Sequence, residues 1–291
     1  MISNSGNRLK YYLELSKLKI MIPVSLTGFT GYFIFNPSLS IKIILVSLGI
    51  LLLAVAASAL NQVLEADLDT RMDRTRNRPI PARKIGIKQA IIFFMVNLFI
   101  GIAIIYFAGN VKAIIIGLIT ILWYNGIYTY SKRITAFAVV PGAITGALPP
   151  LIGWVAAGGG IWDKPVVFLE FMLFIGQIPH FWLLILKYGE EYKNAGVPNL
   201  SDIFNNSQIN QLTFSWVVTS AIAALFLCYF EIIKSVPVIG ILLFASVIMI
   251  WQFSDLLKNQ GFSNNIEKYS KILNSYFFLV LLLLISDKII S

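Results

Sequence analysis

Long apolar segments alternate with short polar segments along the whole chain. A helix needs about 20 apolar residues to cross a bilayer, and nine segments come close to or exceed that length. They are residues 20–36, 41–64, 88–108, 111–130, 135–157, 166–186, 212–232, 235–253 and 272–290. No linker of domain-separating composition interrupts this alternation. The pattern therefore predicts a single all-α, polytopic membrane domain over residues 1–291 with nine transmembrane helices.

The composition supports a membrane protein and argues against a nucleic-acid-binding one. Of the 291 residues, 57% are hydrophobic and 13% are charged, whereas about 25% are charged in a typical soluble domain. The net charge is +9, but the basic residues lie in short loops between the apolar segments. We therefore expect a lipid bilayer as the surroundings and no nucleic acid as a partner.

The distribution of lysine and arginine predicts the orientation in the membrane. If the N-terminus is cytoplasmic, 18 of the 23 basic residues fall in cytoplasmic segments and five fall outside. Basic residues flank transmembrane helices mainly on the cytoplasmic side. This predicts a cytoplasmic N-terminus and an outer C-terminus. All the longer polar loops are then cytoplasmic, so we expect the active site on that side.

Four side chains that can bind a metal recur every fourth residue, starting inside the end of the second apolar segment. They are Asn61, Glu65, Asp69 and Asp73. On an α-helix a step of four residues advances about 40°, so these side chains form one drifting stripe. Three carboxylates on one face repel each other unless a cation lies between them, and hard oxygen donors suit Mg²⁺. The stripe predicts a magnesium site, although mixed charge in such a position is also typical of a solvated loop.

Basic residues near this stripe provide the complementary chemistry. Arg71, Arg74, Arg76 and Arg78 follow it in the same loop, and Lys132 and Arg133 end the fourth apolar segment. Carboxylates for a metal beside cations for phosphate predict a diphosphate site at the membrane edge. The alternative is that these cations serve only as topological anchors. Tyr128 either stacks on a flat or cationic substrate or belongs to the aromatic belt at the interface.

Two further segments carry residues of interest. Pro149-Pro150 lies in an apolar segment and predicts a kinked helix beside a pocket. His180 is the only histidine. It is either a hydrogen-bonded core residue or a ligand of haem iron. Glu190 and Glu191 follow on the same helix and are either ligands for a second Mg²⁺ or solvated charges.

Several motifs together resemble the intramembrane UbiA-type prenyltransferase superfamily, and within it the protoheme IX farnesyltransferases. The motifs are YLELSKLKI, NQVLEADLDTRMDRTRNRP, YTYSKR, ITGALPPLIGW, QIPHFW and EEYKNAGVPN. Two departures are visible. Glu65 stands where aspartate is usual, and Lys17-Leu18-Lys19 replaces the usual Lys-Pro-Arg, so we assign no phosphate-binding role to the first helix.

The resemblance implies a farnesyl transfer from farnesyl diphosphate to a vinyl group of haem B. Water is added in the reaction, and haem O and diphosphate are formed. The resemblance also implies Mg²⁺ as cofactor, a location in the cell (inner) membrane, and haem A synthase or a terminal oxidase as an assembly partner. Asn61, Glu65, Asp69, Arg71 and Lys132 are then the expected catalytic residues. Substrate-binding roles fall to Arg76, Tyr128, Arg133 and His180.

Two other functions are compatible with the sequence. One is a prenyltransferase with a quinone or phenolic acceptor, which would use the same metal site. The other is a transporter or haem-binding factor without chemistry, but an acidic stripe at the membrane edge argues against a transporter, whose sites lie near the midplane. The lone histidine favours haem as the acceptor.

Overall fold

The protein is a bundle of long helices that pack side by side. The computed structural model describes residues 3–258 and 266–290, and it contains no β-strand within these ranges. The helices are α1 (Ser3–Ser16), α2 (Leu18–Phe35), α3 (Ile41–Leu64), α4 (Ala66–Asp69), α5 (Ile87–Ala108), α6 (Val111–Leu122), α7 (Thr129–Ile134), α8 (Val139–Ala147), α9 (Pro149–Ala156), α10 (Lys164–Asn194), α11 (Asn206–Tyr229), α12 (Val236–Phe253), α13 (Asp255–Lys258) and α14 (Ile266–Ile290).

The predicted number of membrane-spanning segments is confirmed. Within the described ranges, nine helical segments are long and apolar enough to cross a bilayer. The sixth is longer than predicted, because α10 continues through the polar residues up to Asn194. Large apolar side chains such as Phe107 and Phe244 remain exposed on the outside of the bundle. This is the expected arrangement where lipid replaces water as the solvent.

The Pro149-Pro150 pair interrupts the fifth spanning segment, as predicted. Helix α8 ends at Ala147 and α9 begins at Pro149. The two prolines are buried, and their carbonyl oxygens lie against Gly28 and Gly31 of α2, so the pair forms a helix contact. The pocket expected beside this segment stays a prediction. A Cβ added to Gly153 would overlap the carbonyl oxygen of Gly28. Glycine thus allows the two backbones to touch, which is a common device in membrane helix packing.

We expect Gly153→Ala to lower the thermal stability of the purified protein. The added methyl group has no space, and overpacking of this kind costs about 1–3 kcal/mol. The matched control is Gly240→Ala in α12, where an added Cβ meets no atom within 4 Å. The measurement is the apparent melting temperature of both variants in one detergent. Equal melting temperatures would contradict the proposed close contact between α2 and α9.

Two local distortions shape the end of the bundle where the polar loops lie. Lys17 separates α1 from α2 in the left-handed conformation, with φ 45° and ψ 43°. For a residue with a Cβ, the left-handed conformation costs about 1–2 kcal/mol, and such strained residues are concentrated at functional sites. Residues Trp123–Tyr128 form a π-helical turn between α6 and α7. π-turns of this kind are also frequent at functional sites.

Candidate active site

One face at the end of α3 carries three buried polar side chains. Asn61, Glu65 and Asp69 are all at most 5% exposed. Helix α3 ends at Leu64, yet the amide of Glu65 donates to the Asn61 carbonyl at 3.0 Å and the amide of Asp69 donates to the Glu65 carbonyl at 2.8 Å. These i to i+4 bonds continue the helical path through the junction with α4. The three side chains therefore stack in one row.

The prediction that Asp73 extends this row is wrong. After Asp69 the chain leaves the helix, and the amide of Arg71 bonds back to Leu68, three residues earlier, as in a turn. The Asp73 side chain is 76% exposed and pairs at 3.0 Å with Arg76, whose side chain is 61% exposed. Helical spacing places residues on one face only while the helix lasts, and here it lasts to Asp69.

The π-helical turn holds the first member of the row. The side-chain nitrogen Nδ2 of Asn61 donates to Thr129 Oγ1 at 3.0 Å, and this hydroxyl donates to the Tyr124 carbonyl oxygen at 2.9 Å. The backbone N–H of Thr129 donates to the same carbonyl oxygen, five residues earlier, which is the hydrogen bond that defines a π-helix. Asn61 and Thr129 are both buried. The turn thus fixes which end of the Asn61 amide faces Thr129.

Lys132 neutralises the second member of the row. Its ammonium group forms an ion pair with Glu65 Oε1, and both side chains are mostly buried. The same ammonium lies 5.1 Å from the centre of the Tyr128 ring. Tyr128 in turn stacks on Tyr124 with ring centres 5.6 Å apart and meets Phe181 edge-on at 6.0 Å. An aromatic wall therefore adjoins the polar row.

Arg78 neutralises the third member of the row. One guanidinium nitrogen lies 2.8 Å from each carboxylate oxygen of Asp69. The loop that carries Arg78 is folded back against α4, because the Thr75 hydroxyl donates to the Asp69 carbonyl oxygen at 3.0 Å. This arginine stands nine residues from its partner, so helical spacing alone gave no signal for it.

Lys17 is the second functional candidate that spacing did not identify. Its ammonium lies within electrostatic range of Asp69, Arg74 and Arg78. Burial and the repulsion from Arg78 lower the pKa of Lys17 to about 7, and the attraction of Asp69 offsets part of this effect. The sequence places Lys17 in the Lys17-Leu18-Lys19 motif, whose departure from Lys-Pro-Arg led us to assign the first helix no phosphate-binding role.

The remaining predicted cations lie on the surface beside the row. Arg133 forms two bonds of 2.8 and 2.9 Å with the carboxylate of Asp67 and a third, of 2.9 Å, with the Leu64 carbonyl oxygen. The hydrogen bond from Arg133 lowers the pKa of Asp67. Arg71 and Arg76 are exposed. The structure therefore does not bring these three arginines together with the buried carboxylates.

Of the two glutamates of α10, Glu191 contacts the loop that carries Arg74. A carboxylate oxygen of Glu191 accepts a bond of 3.1 Å from the Arg74 amide, and Glu190 is exposed. The Arg74 guanidinium lies 4.7 Å above the Tyr188 ring. In the part of the chain that is described, no three His, Cys, Asp or Glu side chains converge on a common point. Glu65 and Asp69, with the amide of Asn61, are therefore the donors within the row.

His180 lies on α10, on the side that faces α14. Its side chain exchanges a hydrogen bond with Asn274, and its ring meets Phe181 edge-on at 6.3 Å. Phe181 also contacts Tyr128, so a continuous run of rings joins His180 to the aromatic wall of the row. The arrangement provides oxygen donors, cations and aromatic rings at one end of the bundle. These are the groups that bind a metal, a diphosphate and a flat or cationic group.

Comparison with known proteins agrees with this arrangement. Residues 24–282 match the UbiA prenyltransferase family. A protoheme IX farnesyltransferase from Oleidesulfovibrio alaskensis is 32% identical over 225 residues, which cover 77% of this chain and 79% of that protein. Further relatives that align with the chain carry the same name.

Solved structures share the fold. A digeranylgeranylglyceryl phosphate synthase superposes with a TM-score of 0.77 at 24% identity, over 98% of this chain and 99% of the other. A UbiA homologue from Archaeoglobus fulgidus bound to GPP and Mg²⁺ superposes with a TM-score of 0.72 at 15% identity, over 96% and 98% of the two chains.

Proposed function

This chain belongs to the UbiA prenyltransferase family, and we propose that it is a protoheme IX farnesyltransferase. The reaction joins the farnesyl group of farnesyl diphosphate to a vinyl group of haem B and adds water, giving haem O and diphosphate. The observation that carries this proposal is the buried row of Asn61, Glu65 and Asp69, with Lys132 and Arg78 on its two carboxylates. The names of the aligned relatives support haem as the acceptor.

The donors of the row suit magnesium. Mg²⁺ is usually held by one or two carboxylates together with substrate phosphates and waters, and it does not require a cage of protein ligands. Glu65, Asp69 and the Asn61 amide would hold it here. When bound, the ion would neutralise negative charge on the diphosphate leaving group. A homologue from Archaeoglobus fulgidus was solved with GPP and Mg²⁺, which supports magnesium as the ion.

Lys132 and Arg78 would exchange partners when the metal and diphosphate bind. In the absence of metal and diphosphate, each cation neutralises one buried carboxylate. An unpaired buried carboxylate would raise the free energy of the folded protein. A metal on Glu65 and Asp69 would replace that neutralisation and release both cations toward the diphosphate oxygens. Lys17, which lies within electrostatic range of Asp69, would add a third positive charge. Stabilising the charge that develops on the leaving group is the main way such a site accelerates bond cleavage.

The aromatic wall would protect the transferred group. As the C–O bond of farnesyl diphosphate breaks, positive charge grows on the allylic carbon, and the faces of Tyr124 and Tyr128 attract such charge. The vinyl group of haem then forms the new C–C bond. Water adds to the resulting cation beside the macrocycle and loses a proton to solvent. Excluding water before the C–C bond forms prevents loss of the farnesyl group as an alcohol.

We expect Lys132→Gln and Arg78→Gln each to weaken farnesyl diphosphate binding about tenfold or more. A hydrogen bond to a charged group is worth about 1.5–3 kcal/mol, and 1.4 kcal/mol corresponds to tenfold. Arg133→Gln and Arg76→Gln are the matched controls, because their partners Asp67 and Asp73 are exposed. Binding is measured by displacement of labelled farnesyl diphosphate. If all four variants lost affinity equally, the distinction between buried and surface cations would be wrong.

The acceptor is tested with purified protein supplied with Mg²⁺, farnesyl diphosphate and one acceptor at a time. Mass analysis of the products with haem B should show haem O. A prenylated quinone or phenol in place of haem O would instead support the aromatic-acceptor function. Diphosphate release without any prenylated product would contradict both assignments.

The orientation of the protein is part of the proposal. It is a multi-pass membrane protein, and we place its N-terminus in the cytoplasm and its C-terminus outside the cell (inner) membrane. The excess of basic residues in the loops at the end that carries the site supports this orientation. Labelling of single cysteines at Ser38 and Arg83 in intact cells tests it, with label expected only at position 38.

A further inference from the structure

A groove separate from the candidate active site runs between α12 and α14. Its volume is about 650 Å³, and its floor includes Tyr276, whose hydroxyl bonds to the Ser246 hydroxyl at 2.9 Å. The groove opens on the outside of the bundle, where Phe244 is 69% exposed. In a membrane protein this opening faces lipid, so the natural occupant is a molecule that is itself dissolved in the bilayer.

The lining changes from apolar to basic along the groove. Ile241, Phe244 and Leu279 line the end that lies deeper in the membrane, while Lys268 and Lys271 line the other end. From Lys268 to Leu279 the rise of α14 is about 17 Å at 1.5 Å per residue. One leaflet of the hydrocarbon core is about 15 Å thick. The groove therefore has the depth of a single leaflet, with positive charge where lipid headgroups lie.

The two lysines are available to a ligand. In the described parts of the chain, neither forms an ion pair within 4.0 Å. The nearest carboxylate on the same helix, Glu267, is held by Lys187 of α10 at 2.5 Å, although it remains within electrostatic range of Lys271. The mechanism proposed above uses neither lysine. Their position beside an apolar groove instead matches basic sites between transmembrane helices that bind anionic lipid headgroups.

We propose that this groove binds one anionic phospholipid, with its phosphate on Lys268 and Lys271 and an acyl chain along Phe244 and Leu279. Charge complementarity selects an anionic headgroup, and the leaflet depth selects a lipid over a short soluble anion. The occupant would brace α14 against α12. At neighbouring positions on α14, Glu267 contacts Lys187 and Asn274 contacts His180. Lipid binding would thus stabilise α14 in the position that makes the α10–α14 contact.

The test uses the full-length protein purified in a mild detergent and titrated with dioleoyl phosphatidylglycerol or dioleoyl phosphatidylcholine. Native mass spectrometry counts bound lipid, and the apparent melting temperature reports stabilisation. We expect one phosphatidylglycerol per chain, with phosphatidylcholine bound much more weakly. Lys268→Gln/Lys271→Gln should weaken phosphatidylglycerol binding about thirtyfold, since each lysine near anionic lipid contributes about fivefold.

Two further variants separate a specific site from general attraction. Lys10→Gln/Lys19→Gln removes the same charge from exposed positions outside the groove and should keep wild-type binding. Ala245→Trp fills the apolar part of the groove and leaves both lysines in place, so it should weaken binding as well. The proposal would be overturned if both lysine double variants lost phosphatidylglycerol binding equally, or if Ala245→Trp bound it as the wild type does. It would also be overturned if the wild type bound phosphatidylcholine as tightly as phosphatidylglycerol.

Discussion

Asp69→Ala is expected to reduce farnesyl transfer by about a hundredfold or more while the protein remains folded in the membrane. Asp69 lies at the end of the buried row, is 3% exposed, and holds Arg78 through both carboxylate oxygens. Its loss would remove a metal donor and release the cation assigned to the diphosphate. Removing one preorganised electrostatic group from an active site commonly costs about 10²–10³ in rate.

The structure provides a sharp control for this substitution. Asp73→Ala removes the same chemical group four residues later, but Asp73 is exposed and pairs with the exposed Arg76. We expect this variant to keep nearly full activity. The measurement is the transfer rate at limiting Mg²⁺, with size-exclusion profiles as the check on folding. Asp69→Ala with wild-type turnover, or Asp73→Ala with an equal loss, would remove the basis for a metal site at the row.

His180→Ala is expected to reduce haem O formation about a hundredfold with little change in farnesyl diphosphate affinity. Positioning effects of this size arise when a reacting group is displaced by about 1 Å. His180 is anchored by Asn274 and connected through Phe181 to the wall formed by Tyr128. An imidazole in this place would orient the macrocycle so that its vinyl group faces the farnesyl carbon, either as an iron ligand or as a hydrogen-bond partner.

Asn274→Ala tests whether the anchor matters. It keeps the imidazole and removes its hydrogen-bond partner, so we expect a loss smaller than that of His180→Ala. Haem titration followed at the Soret band reports ligation separately from activity. If His180→Ala bound haem with the same spectrum and affinity and made haem O at the full rate, this histidine would be a structural residue. The assignment of haem as acceptor would then depend on the family relationship alone.

The sequence by itself determined the architecture of the membrane domain. Nine apolar segments predict nine spanning helices because a bilayer has a fixed thickness and each backbone polar group must find a partner within its own helix. The four-residue spacing of Asn61, Glu65 and Asp69 likewise predicted that they share one face, since a helix brings residues at this spacing together. The interruption at Pro149-Pro150 also followed from local chemistry, because proline cannot donate the helical hydrogen bond.

Only the tertiary structure decided which charges meet. Arg78 and Asp69 are nine residues apart, and Lys132 and Glu65 are 67 residues apart along the chain. Arg76, which is closer to Asp69 than Arg78 in sequence, points to the surface instead. The path of a polar loop depends on contacts between distant segments, such as the packing of Leu68 and Met72 on Val197 beyond α10. Periodicity describes one element at a time, whereas ion pairs depend on where separate elements come together.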